Sequence, residues 1–226
     1  MLDRKSRLPW VTVVLGGLVS GLACGSPSPA RIERVAADTI SFPAEVTADR
    51  FERRLLGMPG YHYLVWGDGR AAPAALFQSA VSDVQVLDAL EALGARPGNA
   101  LEMDTWERRE DPGAKAPEKV IQGPEVEVLV RVPGRRELLT LDRILLDPGD
   151  RGFEMRFGGH RAHIHKWHSG CIVCLYSCPG SKIGNARYTV RDYVREPTRF
   201  RVRPGVLPQD GSEVSILLRL VKPGES

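Results

Sequence analysis

The sequence predicts a single α+β domain, built on a mainly antiparallel sheet with one principal helix and a loop rich in cysteine and histidine. Two observations lead to this prediction. Short runs of β-branched and aromatic residues, separated by Pro and Gly, recur along most of the chain and are typical of strands joined by turns. One segment, residues 82–94, has the apolar spacing of an amphipathic helix. The sequence contains no internal repeat, phosphate-binding glycine loop or nucleophile elbow, so it does not favour a hydrolase or a transferase.

The first 23 residues have the features of an export signal. A basic segment precedes an apolar run, Trp10–Leu22, which is shorter than the roughly 20 residues needed to span a membrane. Such a run is typical of a signal peptide. Small residues before Cys24 resemble a bacterial lipoprotein signal, in which this cysteine is lipidated and becomes the first residue of the mature chain. Ordinary signal cleavage nearby is the alternative.

Residues 24–37 follow as a predicted flexible tether, and residues 38–226 as the folded domain. A lipid anchor would hold the domain at the membrane surface, facing the periplasm. Gly25 stands where an Asp would favour retention at the inner membrane, so the outer membrane is weakly preferred. The formal charge of +3 resides largely in the leader, and basic and acidic residues alternate elsewhere. This charge pattern predicts no nucleic-acid partner.

The N-terminal half of the domain is expected to begin with strands and then form the helix. Residues 39–46, TISFPAEV, predict the first strand, and Phe51–Met58 and Tyr61–Trp66 predict a hairpin-like pair around Pro59-Gly60. Ala75–Ser79 predicts another short strand. The helix follows, with Ser82 as its N-cap and Gly94 as its end. Its apolar stripe is formed by Val86, Leu87, Leu90 and Leu93.

The C-terminal half is predicted to consist of strands and loops. Residues 104–123 are charged and rich in Pro and Gly, and we expect a mobile surface segment there. Alternating apolar residues predict a strand at Glu125–Val132, with Glu137–Leu146 as its hairpin partner. The apolar segment Glu213–Val221 is expected to close a sheet. Further strands are predicted at Phe153–Phe157, Arg187–Val190 and Arg199–Val202.

The segment from His160 to Pro179, HRAHIHKWHSGCIVCLYSCP, holds four of the five histidines and three of the four cysteines. Its core is His168-x2-Cys171-x2-Cys174-x3-Cys178-Pro, the spacing of the bacterial ferredoxin motif with histidine in the first place. Such spacing lets the backbone wrap so that successive thiolates reach one centre. If Cys24 carries lipid, three cysteines remain, and an odd number cannot all form disulfides within the chain. A shared metal is therefore favoured.

Several cofactors and chemistries are compatible with this motif. A [4Fe–4S] cluster would use Cys171, Cys174 and Cys178, with His168 or an outside group as the fourth ligand, and would transfer electrons. A zinc ion fits the same Cys3His set, and copper also suits thiolate and imidazole ligands. Alternatively, Cys171 and Cys174 form a redox disulfide that Cys178 resolves, or the loop belongs to a structurally stapled binding module. Haem c is excluded because Leu175, not His, follows Cys174.

The other charged and imidazole side chains near the motif have secondary roles in this interpretation. Each of His160, His163 and His165 alone is expected to be an ordinary polar residue, but together they could form a second metal patch or orient the first ligands. His62 lies on a predicted strand and is expected to be structural. The nearby basic residues should lower thiol pKa values. They are Arg161, Lys166, Lys182 and Arg187.

Four stretches of the sequence together resemble the YdjY-type proteins of bacteria. They are VSDVQVLDALEALGARPGN, WHSGCIVCLYSCPGSKIGN, ARYTVRDY and the C-terminal PQDGSEVSILL. The resemblance covers most of residues 38–222. It implies a shared fold and, through the three cysteines, a ferredoxin-like iron–sulfur protein. If the protein carries electrons, an unidentified redox or protein partner is expected. Family members often carry a His-Glu pair in the early hairpin, where this chain has His62-Tyr63. The resemblance implies no particular enzymatic activity.

Overall fold

The computed structural model describes residues 31–53, 60–147, 149–195 and 200–222. The fold is mixed α+β, with one large and mostly antiparallel sheet and short helices around it. The predicted fold class is confirmed at this level. The expectation of one principal helix is too simple, because six α-helices occur among the described residues. None of the helices in these ranges is long and apolar enough to cross a membrane.

The first two strands, β1 (Glu33–Ala36) and β2 (Thr39–Val46), form an antiparallel pair. Strand β2 confirms the predicted first strand, and its residues alternate between the core and the outside. Strand β1 lies within the stretch predicted to be a flexible tether, so that prediction is wrong for residues 33–36. The rest of that stretch up to residue 30, including Cys24, lies outside the described residues.

The predicted hairpin around Pro59-Gly60 is replaced by a helix and a strand. Helix α1 (Ala48–Arg53) buries Phe51 where a strand was expected, and residues 54–59 lie outside the described ranges. Strands β3 (His62–Trp66) and β4 (Ala75–Ser79) confirm two predicted strands. They pair in parallel, and the chain between them includes a 3-10 turn at Ala72–Ala74.

Helix α2 (Asp83–Ala92) confirms the predicted helix and its boundaries. Its N-terminus carries a capping box, in which Gln85 N donates to Ser82 Oγ and Ser82 N donates to Gln85 Oε1. Gly94 follows the helix with φ +93°, a conformation that favours glycine. Val86, Leu87 and Leu90 are buried in the core, as the apolar spacing predicts.

Residues 104–123 are packed, and the prediction of a mobile surface segment is wrong. The segment forms helix α3 (Asp104–Glu107) and a 3-10 turn at Ala116–Glu118. Ala116 and Ile121 are buried. Arg191 from a distant part of the chain donates to the carbonyl groups of Arg109, Asp111 and Ala114. The composition of residues 104–123 does not indicate that a side chain so distant in the sequence binds this segment.

The remaining elements modify several predicted strands. Strand β5 (Val126–Arg131) is confirmed, but its predicted partner pairs only at β6 (Leu138–Leu139) before the chain turns into α4 (Leu141–Ile144) and β7 (Leu145–Leu146). Residues 187–190 form only a bridge at Thr189, because helix α6 begins at Val190. The other elements are β8 (Met155–Phe157), α5 (Arg161–Trp167), β9 (Cys171–Cys174), β10 (Ile183–Asn185), α6 (Val190–Arg195), β11 (Arg201–Val202) and β12 (Glu213–Leu220).

The large sheet has the order β6-β5-β12-β2-β4-β3-β9-β10-β8, and β1 pairs with β2. Strand β12 confirms the predicted C-terminal strand, and it lies inside the sheet because it pairs with both β2 and β5. The sheet curls so that the start of β5 meets the edge strand β8, since Glu125 bridges to Arg156 and Phe157 N donates to Pro124 O at 2.8 Å. Alternate residues of β2, β5 and β12 form the core together with α2.

The segment predicted as a Cys/His loop is instead a helix followed by an interior strand. Helix α5 carries His163 and His165, and β9 places Cys171 and Cys174 between β3 and β10. Every residue of β9 is buried. The β-branched residues Ile172 and Val173 and the small apolar thiols suit a strand buried on both faces.

Substitution Ile216→Ala is expected to destabilise the protein by about 2–5 kcal/mol, because it leaves a cavity in the middle of β12, where Ile216 is fully buried. Val35→Ala is the control, since Val35 is 52% exposed on β1, and it should change the free energy of unfolding by less than about 0.5 kcal/mol. Denaturant titration measures both. Equal effects would contradict the central position of β12.

Candidate metal centre

Strand β9 carries two of the three candidate thiols into the interior of the sheet. Cys171 and Cys174 begin and end the strand and are 1% and 0% exposed. Cys178 follows in the turn after β9 and is 6% exposed. All three cysteines are free thiols in the structure. The sequence-predicted cysteine set is therefore gathered in one buried region.

His62, at the start of β3, is the imidazole that meets these thiols. Its Nδ1 lies 3.4 Å from the Sγ of Cys171, and the ligand atoms of His62, Cys171 and Cys174 all lie within 4.8 Å of one another. Residues three apart on a regular strand point to opposite faces. Register irregularities between β3 and β9 interrupt this alternation and let both thiols reach His62.

Cys178 joins the cluster through Cys174. Cys178 lies near enough to Cys174 to help raise the pKa of that thiol, although Cys178 is not among the residues whose ligand atoms all lie within 4.8 Å of one another. The turn that carries Cys178 is held by its own hydrogen bonds. Cys178 N donates to the carbonyl of Tyr176 at 2.9 Å, and Ser181 Oγ donates to the carbonyl of Cys178 at 2.8 Å. The third thiol is thus fixed at the side of the Cys171–Cys174 pair.

The two strand cysteines have opposite acid–base character. The hydrogen bond from Cys174, followed by the contacts with His62 and Lys182, lowers the pKa of Cys171 to about 5 despite its burial. Burial, together with the hydrogen bonds to Cys171 and Cys178, raises the pKa of Cys174 well above its usual range. Of the two thiols, Cys171 is therefore the more acidic, and a negative charge on the pair is favoured at its sulfur.

A buried ion pair supports the cluster from α2. Lys182 Nζ lies 2.5 Å from Asp83 Oδ2, with both side chains almost fully buried, and it also donates to the carbonyl of Gly180 at 3.2 Å. Lys182 is the predicted basic residue that contributes to the low pKa of Cys171. Arg161 and Arg187 instead pair with carboxylates outside the cluster.

Aromatic rings cover the cluster on the side of His62. The ring of Tyr61 lies 4.1 Å from that of His62, and Tyr176 and Tyr193 pack edge-on against Tyr61. Burial, followed by the nearby sulfur groups of Cys178 and Cys174, raises the pKa of Tyr61 well above its usual range. The phenol therefore stays neutral, and the rings exclude water from the thiols.

His168, the predicted fourth ligand, lies apart from these groups. It is exposed at the C-terminal end of α5 with φ +46°, and its N–H donates to the carbonyl of Ile164. The structure thus brings His62 to the thiols in place of His168. His62 was expected to be structural because it lies on a predicted strand, and it is 109 residues from Cys171 in the sequence. The one feature of the sequence that could have indicated a role for His62 is that its imidazole lies within the otherwise mainly apolar and aromatic strand YHYLVW.

The remaining histidines form a second, separate group with an acid. His160 and His163 meet Glu102, while His165 is exposed and does not belong to the group. Burial and the neighbouring His160 lower the pKa of His163, which favours its neutral form. The sequence offered no signal for Glu102, which lies beside the segment expected to be mobile.

Comparison with known protein families identifies a match over most of the chain. The family model of the YdjY domain matches residues 35–219, which include both histidine groups and all three buried cysteines. This chain belongs to the YdjY domain family. The resemblance drawn from the cysteine motif is therefore confirmed.

One relative of this YdjY-domain protein is the uncharacterized protein YdjY of Escherichia coli (strain K12). The two are 26% identical over 162 residues, which cover 71% of this chain and 68% of the relative. No solved structure matches the chain. The family name thus brings no activity with it, and the chemistry has to be argued from the residues of the centre.

Titration of the metal-free protein should reveal one thiolate at neutral pH. Thiolate absorbance near 240 nm should fall as the pH drops through about 5, because Cys171 is ionised above that pKa. Cys174→Ala removes the hydrogen bond that is the main cause of the low pKa, and it should move the midpoint upward. Cys178→Ser is the control, since Cys178 does not contribute to that shift. A midpoint near 8.5 in the wild type would contradict the assignment.

Proposed function

We propose that this protein binds metal at a centre formed by Cys171, Cys174, Cys178 and His62. The observation that carries the proposal is the 3.4 Å contact between His62 Nδ1 and Cys171 Sγ inside a fully buried cluster. Zinc bonds of about 2.0 Å to nitrogen and 2.3 Å to sulfur place two tetrahedral ligands about 3.5 Å apart. The side chains therefore already stand at the separation of two ligands of one ion.

Electrostatics favours a cation in this cluster. A buried thiolate is costly in a medium of low dielectric constant unless a positive charge shares its surroundings. The pKa of Cys171 is lowered to about 5, which favours its thiolate form at neutral pH. The ammonium group of Lys182 lies near this thiol but is already paired with Asp83. A metal ion would neutralise Cys171 and convert the neighbouring thiols to thiolates as well.

Thiol–disulfide exchange is the second function that an observation favours. A cysteine with a pKa of about 5 beside a second cysteine is typical of redox pairs. Exchange with a partner protein, however, requires that the partner thiol reach the sulfur atom. The sulfur-bearing residues here are at most 6% exposed. Burial therefore favours metal binding over exchange.

The contact distances also bear on the nature of the metal group. Direct contact between His62 and Cys171 leaves space for one ion between the ligands, whereas a [4Fe–4S] cluster would insert several irons and sulfides there. A single thiophilic ion such as zinc, Cu(I) or iron thus fits His62, Cys171 and Cys174 as they stand, and Cys178 would have to move closer to complete a set of four. Four protein ligands leave no open position, which suits a structural or electron-transferring ion. Iron or copper would make the protein an electron carrier with a redox partner.

Metal analysis of the anaerobically purified protein tests this proposal. We expect one equivalent of zinc, copper or iron, and at least about tenfold weaker binding in His62→Gln, because that variant removes a direct ligand. His168→Gln is the matched control, since His168 is exposed and apart from the thiols, and it should bind metal normally.

Each other result has a distinct meaning. Four irons with four sulfides would support the cluster that the ferredoxin spacing predicts and would overturn the single ion. A Cys171–Cys174 disulfide without metal would support thiol–disulfide exchange instead. Loss of metal in His168→Gln with normal binding in His62→Gln would show that the ligand set is wrong.

Attachment to the envelope is the second part of the proposed function. A lipid on Cys24 would hold the domain at a membrane surface facing the periplasm, with the outer membrane weakly preferred. The leader and the small residues before Cys24 support this part. An electron carrier held in this way would meet membrane-bound redox partners by diffusion in two dimensions.

Cys24→Ser should release the protein from the membrane fraction, because a serine cannot carry the thioether-linked lipid. Cells grown with labelled palmitate should label the wild type and the Cys178→Ser control, but not Cys24→Ser. Fractionation and autoradiography measure both effects. Label retained in Cys24→Ser would contradict lipidation at this cysteine.

A further inference from the structure

His160, His163 and Glu102 converge at a place separate from the thiol centre. Their ligand atoms all lie within 4.8 Å of one another. His160 Nε2 lies 3.4 Å from Glu102 Oε1, and His163 Nε2 lies 3.5 Å from Glu102 Oε2. Each carboxylate oxygen therefore faces a different imidazole. We propose that these three side chains bind a divalent transition-metal ion at a second site with an open coordination position.

The orientation of His163 is set by the backbone on its far side. Its Nδ1 lies 3.4 Å from the carbonyl of Pro179, and the side chain is 4% exposed. A carbonyl accepts a hydrogen bond, so Nδ1 carries the proton and Nε2 presents its lone pair to Glu102. A metal-binding histidine commonly donates its other ring N–H to a carbonyl in this way. The tautomer needed for metal binding is thus already held.

The second imidazole stacks on the first, so one of the two rings has to rotate for both Nε2 lone pairs to point at one ion. The rings of His160 and His163 stack at 3.8 Å with an angle of 12° between their planes. His160 precedes α5 and His163 lies in its first turn, so a spacing of three residues puts both on the same face. His160 Nδ1 has no hydrogen-bond partner in the described part of the chain, which leaves Nε2 as the nitrogen with a polar neighbour.

Glu102 completes the set from another element. The buried side chains of Leu101 and Thr105 hold its segment against the protein, while Glu102 itself is 58% exposed. The nearby cation Arg161 does not compete for Glu102, because it donates to Asp88 and Glu91 at 2.7 Å each. The exposed side of Glu102 leaves further coordination positions open to solvent.

The three ligands identify the class of ion. Two imidazoles and one carboxylate with open positions are typical of zinc hydrolases and of non-haem iron(II) oxygenases. Zinc bonds of about 2.0–2.1 Å in a tetrahedron separate neighbouring ligand atoms by about 3.4 Å, in agreement with both contacts to Glu102. Hard ions such as calcium prefer sites made of oxygen alone. A borderline ion such as zinc, iron(II) or cobalt(II) therefore fits best.

Cobalt(II) titration of the full-length protein tests the second site. Cobalt bound by imidazole and carboxylate gives visible d–d bands, whereas thiolate ligands add intense charge-transfer absorption in the near ultraviolet. We expect one equivalent with d–d bands alone. In Glu102→Gln this equivalent should bind at least about tenfold more weakly, by comparison with the loss of outer partners in known metal sites. Glu102 is exposed, so circular dichroism should show an unchanged fold.

The matched control is His165→Gln, on the same helix but outside the group, and its cobalt spectrum should equal that of the wild type. The absence of this equivalent, or its unchanged affinity in Glu102→Gln, would show that the three residues form an ion pair and bind no metal. The thiolate charge-transfer band reports on the first centre independently, so failure of one site is distinguishable from failure of the other.

Discussion

Burial of three thiols and one imidazole in the interior of a sheet is the constraint on which the site depends. Strand β9 can carry Cys171 and Cys174 only because β3 and β10 satisfy its backbone on both sides. Irregular pairing with β3 then brings both sulfurs to His62. A cluster that is dry and closed in this way favours a bound ion and limits access by other proteins.

The surroundings of the cluster are fixed by contacts between distant parts of the chain. Asp83 at the start of α2 holds Lys182 beneath the thiols, and removing one partner of such a buried pair costs about 3–5 kcal/mol. Tyr61 and its neighbours cover the opposite side. The ion pair therefore has two effects. Lys182 helps to lower the pKa of Cys171, and its contact with Asp83 also joins α2 to the sheet.

The thiol cluster with His62 and the group of His160, His163 and Glu102 both contact the turn that follows β9. Cys178 extends one group, and the next residue, Pro179, supplies the carbonyl that orients His163 in the other. Helix α5 connects them along the chain, since His163 lies within it and β9 follows shortly after. Two candidate ligand sets with different chemistry are therefore built from a single stretch of sequence and one distant residue each, His62 and Glu102.

The sequence alone determined the features that depend on local pattern. The capped helix α2, the alternating strands β2 and β5, and the family-specific cysteine motif could all be read directly, because periodicity and spacing act over a few residues. The packing of residues 104–123 could not, since Arg191 anchors that segment from elsewhere in the chain.

Only the tertiary structure decided which histidine meets the thiols. His168 is near the cysteines in sequence, yet α5 ends there and turns it to the solvent. His62 is far away in sequence, yet the pairing of β3 with β9 places it against Cys171. Strand pairing joins residues that are far apart in the sequence. The spacing of residues within one segment therefore cannot predict which strands will be neighbours.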